Sequence, residues 1–159
     1  MTGDKLSGTG DDLSRTSITI QRTFDAPIDR LWAAWYDPDE LASWSAPAGW
    51  QYEILEHEFR TGGVHRYCMH GPDDEESWGR TVYEEIVDHE RIVHLDTFTD
   101  EDGTAVGEEF EIVVEFVERG SQTDLTLSHA GLPEGADEEA IAGWESGLDE
   151  LAAHLEESA

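Results

Sequence analysis

From Ser17 to Phe24 apolar and polar side chains alternate, with Ile18, Ile20 and Phe24 on one side, which predicts a β-strand. The period then changes. Asp25, followed by Pro27, predicts a capped helix start, and Leu31, Trp32 and Trp35 give that helix an apolar face. Asp37-Pro38-Asp39-Glu40 predicts a second short helix: Asp37 as cap, Pro38 as first helical residue, Glu40 at the capping-box position, Leu41 and Trp44 inward. Pro47 and Gly49 are expected to end it. From Trp50 onward short alternating runs return, predicting strands at 51–59, 63–70, 77–87, 91–99, 108–118 and 122–129, separated by tight turns such as Thr61-Gly62-Gly63 and Arg119-Gly120-Ser121. Connections this short make neighbours in sequence pair as antiparallel hairpins.

The last predicted element is the one the others must accommodate. In residues 137–159, Ile141, Trp144, Leu148, Leu151 and Leu155 recur at three- and four-residue spacing, forming one apolar stripe on a helix that carries no Lys or Arg. Asp137 is the expected N-cap, with acidic residues in the first turn, where the helix dipole favours them. Burial of five such side chains is worth roughly 7–15 kcal/mol before ordering costs. Gly143 and Gly147 each cost about 1 kcal/mol relative to Ala inside a helix, so they either admit a close neighbour or leave room beside Trp144. The fold class that follows is α+β: a seven-stranded antiparallel sheet curled around a long C-terminal helix, with two short helices after the first strand. Residues 1–16, polar and carrying Gly3, Gly8 and Gly10, are expected to be a disordered tail, and 17–159 a single domain.

Charge changes the picture of partners. The 159 residues hold 38 Asp and Glu against 9 Lys and Arg, a formal net charge of −29, with the acidic residues spread over strands, turns and helix. A field of that sign opposes nucleic acid and anionic membranes, so neither is expected as a partner. Its even spread resembles proteins of salt-loving organisms, and molar salt, with a Debye length of about 3 Å, would screen the self-repulsion. Cys68 stands alone, so there is no disulfide framework. No run is apolar enough to span a bilayer or serve as a signal peptide, and the expected location is the cytoplasm.

Several stretches together resemble a known superfamily. Phe24-Asp25-Ala26-Pro27, Leu31-Trp32-Ala33-Ala34-Trp35, Asp37-Pro38 and Leu41 with Trp44 are similar to the opening of the START-like, helix-grip superfamily also called SRPBCC. Within it they resemble the branch named after the activator of heat-shock protein 90 ATPase. Further matches are Gly62-Gly63, Met69-His70-Gly71-Pro72-Asp73, Tyr83-Glu84-Glu85-Ile86, Glu90-Arg91-Ile92-Val93, Leu125-Thr126-Leu127-Ser128-His129 and Gly143-Trp144. The resemblance spans about residues 17–155. It implies a cavity between sheet and C-terminal helix. Two departures bear on it: Trp44-Ser45-Ala46-Pro47 replaces a second aromatic and Gly-Pro, and His65 stands where a large or aromatic residue is common. Both exchange apolar bulk for smaller or polar groups.

Strand alternation assigns the faces. His65, Tyr67 and Met69 share a face, which the resemblance puts inward, and Val64, Arg66 and Cys68 the other. Gly79, Thr81 and Tyr83 fall together, as do Ile92, His94, Asp96 and Phe98, then Phe110, Ile112, Val114 and Phe116, then Leu125, Leu127 and His129. The candidate ligand-binding residues are therefore His65, Tyr67, Met69, Tyr83, His94, Asp96, His129 and Trp144, an apolar wall with a few polar groups, as small-molecule sites have. A structural role for any single inward His, His129 above all, is the competing interpretation, and a slip of one residue would turn His94 and Asp96 to solvent. There is no His-x-His, His-Glu-x-x-His or Cys-x-x-Cys, so no metal or cofactor is expected; no catalytic residue is assigned. Cys68, near Arg66 and His70, is expected to be a buried, inert thiol. The function expected is binding of a small hydrophobic or aromatic molecule by a monomer or homodimer in high salt. The alternatives are a cyclase- or aromatase-like enzyme using the same cavity and a co-chaperone-like regulator acting through its surface.

Overall fold

A computed structural model of the chain describes residues 15–46, 49–133 and 135–157. Its elements run β1 (Arg15–Phe24), α1 (Ile28–Tyr36), α2 (Pro38–Ser45), β2 (Gln51–His57), β3 (Val64–His70), β4 (Glu76–Val87), β5 (Arg91–Thr99), β6 (Ala105–Arg119), β7 (Gln122–Pro133) and α3 (Asp137–Glu157). The strands form one antiparallel sheet in the order β1-β7-β6-β5-β4-β3-β2. Every neighbouring pair from β2 to β7 is a sequential hairpin, as the short connections require. The expected class, α+β with a seven-stranded sheet and a long C-terminal helix, is the one observed. No helix among the described residues is long and apolar enough to cross a membrane.

The core lies between the concave sheet face and the three helices. Leu31 and Ala34 of α1, Ile112 and Val114 of β6, Leu125 and Leu127 of β7, and Leu148 and Leu151 of α3 are fully buried there. Trp32 and Trp35 meet the Phe116 ring edge-on at 5.2 and 6.0 Å. The Trp44 indole donates to the Ala34 carbonyl at 2.9 Å, fixing α2 against α1. Arg22 of β1 pairs with Asp149 of α3 at 2.6 Å, and His154 of α3 meets Glu40 of α2 at 3.0 Å.

Several local expectations change. Asp25 does not cap α1; Pro27 occupies the cap position and no side chain bonds the first turn. Asp37 does cap α2, accepting from the Asp39 and Glu40 N–H groups. The reciprocal half of the capping box is absent, because the Asp37 N–H is already bonded to the Ala33 carbonyl and the Glu40 carboxylate is drawn to Arg30 and His154. Asp137 is the first residue of α3 rather than its cap, since the Ala136 carbonyl accepts from the Ala140 N–H. β1 begins at Arg15, within the stretch expected to be a tail; residues 1–14 and Pro47 lie outside the described residues. β6 and β7 are longer than expected and β2 stops at His57.

Irregularities in the ladder decide which side chains reach the interior. The register slips at Leu55 in β2, at Glu84 in β4, between Ala105 and Glu109 in β6 and at Gly131 in β7. Each inserted residue resets the alternation and sharpens the twist. Gly131, at φ +93°, takes a conformation that L side chains rarely adopt. The slip at Leu55 brings Tyr52 and His57, five residues apart, to the same face.

Candidate functional site

A cavity of about 430 Å³ lies between the sheet and the N-terminal half of α3. All eight residues expected at a site line it: His65, Tyr67 and Met69 of β3, Tyr83 of β4, His94 and Asp96 of β5, His129 of β7 and Trp144 of α3. Tyr52, Phe59, Thr81, Trp35 and Trp44 complete much of the wall, and no Lys or Arg belongs to it. The two departures from the family pattern also face the space, as Ser45 and His65. Tyr67 lies flat across β4 because its partner is Gly79, where a Cβ would come within 2.2 Å of the phenol oxygen.

The helix is cut to suit the cavity. Ala140, Gly143 and Gly147 line it from α3, and a Cβ built at either glycine meets nothing within 4 Å. The glycines therefore leave room beside Trp144 and do not admit a close neighbour. One turn further on, Leu148, Leu151 and Leu155 are buried in the core. One half of the helix grips the sheet and the other roofs an open space.

Cross-strand pairing sets the polar groups in a row. His57 opposes His65, His65 opposes Thr81, and Thr81 opposes Asp96, across four adjacent strands. The His57 Nε2 lies 2.8 Å from the Tyr36 carbonyl, its Nδ1 lies 2.9 Å from the His65 Nδ1, and the His65 Nε2 lies 2.7 Å from the Tyr52 hydroxyl. A carbonyl only accepts, so His57 Nε2 carries hydrogen. With both rings neutral, His57 Nδ1 then accepts from His65 Nδ1–H, and His65 Nε2 accepts from the Tyr52 O–H. His65, only 3% exposed, is held neutral. Burial depresses its pKa to about 4, reinforced by His57 and by His94 and opposed by Asp96. Burial also raises the phenols of Tyr52, Tyr67 and Tyr83, with the Asp96 charge contributing to each.

The second polar group is centred on Asp96. Its Oδ1 accepts from the Thr81 hydroxyl at 2.8 Å and lies 2.7 Å from His94 Nδ1. Burial works against this carboxylate, but His94, the Thr81 hydroxyl and His129 outweigh it and hold the pKa below the usual range. His129 lies apart from both groups in bonding. Its Nδ1 accepts from the Trp144 indole at 2.9 Å, and its Nε2 is buried without a polar partner, edge-on to Phe110 at 5.1 Å. Burial lowers its pKa, against the pull of Asp96. Two residues escaped the reading of faces. Tyr52 and His57 lie on β2, where the slip at Leu55 breaks the alternation; the aromatic residue opposite Met69 was the available signal. Cys68, on the convex face, is buried, and burial together with Glu76 and Glu53 pushes its thiol pKa up, in keeping with an inert group.

Comparison with known proteins places this architecture. Residues 25–156 match the family described as activator of Hsp90 ATPase homolog 1-like protein. A crystal structure of a Chromobacterium violaceum protein is similar over 88% of this chain and 96% of that one, at 28% identity and a TM-score of 0.79. A solution structure of an Arthrobacter aurescens protein is similar over 89% and 86% of the two chains, at 28% identity and a TM-score of 0.81. CalU16 from Micromonospora echinospora, at 24% identity and a TM-score of 0.65, shares the fold. No curated protein matches. With the family pattern covering all but the ends, and with sheet, short helix pair and gripping helix in the same arrangement, the chain belongs to the family of activator of Hsp90 ATPase homolog 1-like proteins, within the START-like helix-grip fold.

Proposed function

We propose that the protein binds a small molecule with an apolar or aromatic body in the cavity between the sheet and α3. The observation that carries the reading is the cavity itself: about 430 Å³, walled by aromatic rings, with two clusters of convergent polar groups. Gly143 and Gly147 support it, because a helix gains roughly 1 kcal/mol from each Gly-to-Ala change, yet here both glycines front open space. His65, Tyr67, Met69, Tyr83, His94, Asp96, His129 and Trp144 are the proposed contacts. The net charge of −29 is read as adaptation to a salt-rich cytoplasm rather than as a code for a partner.

Trp44 and Trp144 in the wall supply the test. Titration with naphthalene-sized aromatics in molar potassium chloride should quench tryptophan fluorescence saturably, at one ligand per chain. Quenching that rises linearly with no saturation would contradict the reading. A second reading, a cyclase- or aromatase-like enzyme, draws on the Tyr52–His65–His57 chain, which has the form of a proton path leading away from the cavity. It requires that a bound compound be converted.

A further inference from the structure

The hydrogen-bond directions in the cavity wall specify what a ligand must offer. The Tyr52 hydrogen is committed to His65, so the oxygen of Tyr52 has only lone pairs left for the cavity. The Thr81 hydrogen is committed to Asp96, with the same result. Both bonds received by the Asp96 carboxylate end on Oδ1; no described residue donates to Oδ2, and a third of the Asp96 side chain is open to the cavity. Those two donors are a hydroxyl and an imidazole N–H, neither of which needs a charge to make its bond. At Tyr52, Thr81 and Asp96 the wall thus presents acceptors, while the Tyr67 and Tyr83 hydroxyls, raised in pKa, keep their hydrogens. The wall holds a carboxylate that His94 meets only at Oδ1, and it has no Lys or Arg. A carboxylate in an apolar enclosure is costly unless a cation or further donors reach it. The rings of Tyr52, Tyr67, Tyr83 and Trp144 line the same space, and an aromatic face also suits a cation.

We propose that the ligand is an amphiphilic amine, whose protonated nitrogen donates to Asp96 Oδ2 while its aromatic or apolar body fills the space beneath Gly143 and Gly147. The inference rests on the ligand-binding reading above and narrows it to one chemical class. Tyr52 and Thr81 then act as secondary acceptors for the remaining ammonium hydrogens. An anionic ligand is disfavoured by the charge of Asp96.

The test uses three probes with one ring system: 2-naphthylmethylamine, 2-naphthylmethanol and 2-naphthoate. Calorimetric titration of the full chain in molar potassium chloride, at mildly alkaline pH where the amine remains cationic, screens the overall charge and isolates the local one. The amine should bind roughly ten- to a hundredfold more tightly than the alcohol, as a charge-assisted hydrogen bond to a poorly solvated carboxylate requires. The carboxylate should bind most weakly. Asp96→Asn should erase the advantage of the amine and leave the alcohol little changed. If that variant does not fold, the order of the three probes on the unsubstituted protein still decides. Equal binding of amine and alcohol, or tighter binding of the carboxylate, overturns the amine inference and leaves the cavity reading standing. Failure of all three to bind overturns the inference and counts against the cavity reading as well.

Discussion

His65 carries the most specific consequence at the scale of single residues. Its folded pKa of about 4 lies below the ordinary value of 6.5, so the folded chain binds fewer protons than the unfolded chain between those limits. Stability from this group is therefore fully present above about pH 6.5 and is lost as pH falls toward 4, by about 3 kcal/mol in all. Urea midpoints across that range for the natural chain and for His65→Gln check this: the midpoint should fall toward acid pH more steeply in the natural chain than in the variant. An identical slope in both would show that His65 is not held neutral. The residue scale is also where the sequence was hardest to read. The site residues of β3, β4, β5 and β7 lie in stretches where alternation is unbroken, and all eight expected residues do line one cavity. Tyr52 and His57 could not be found that way, since an odd spacing puts them on opposite faces unless a bulge intervenes, and nothing in Ile54-Leu55-Glu56 announces one.

At the scale of elements, α3 divides into a gripping half and a roofing half, and the two halves should respond oppositely to substitution. Leu151→Ala opens a cavity under a fully buried side chain and should cost about 2–5 kcal/mol in chemical denaturation. Gly143→Ala and Gly147→Ala should each stabilise the fold by about 0.5–1 kcal/mol, because the added methyl meets open space and the helix gains propensity. Destabilisation by either alanine would mean that the space above the glycines is not open. Asp37→Ala removes a cap that accepts two N–H groups and should cost about 1 kcal/mol. The elements themselves were legible because period and turn chemistry agree along most of the chain. The misplaced caps at Asp25 and Asp137 share one cause: a helix start is set by which carbonyl first accepts, and a neighbouring acidic residue does not determine that.

At the scale of the whole molecule, the charge and the cavity make separate demands. A net charge of −29 repels itself in dilute buffer, so thermal melting should move upward between dilute buffer and molar potassium chloride. Equal or lower stability in high salt would defeat the reading of the charge as salt adaptation. The fold was legible as a whole because seven strands with short connections and one amphipathic helix admit few arrangements. The ligand was not, because its chemistry depends on hydrogen directions at Tyr52, Thr81 and Asp96 that exist only once β2, β4 and β5 are paired. The account turns on the cavity being a binding site. The most direct measurement is mass spectrometry of the small molecules released from protein purified natively in high salt, side by side with Gly147→Leu, whose side chain fills the roofed space. The account predicts an apolar or aromatic compound, near one per chain, released from the natural protein and missing from the variant. The same compound in equal amount from both, in variants folded alike, would contradict it.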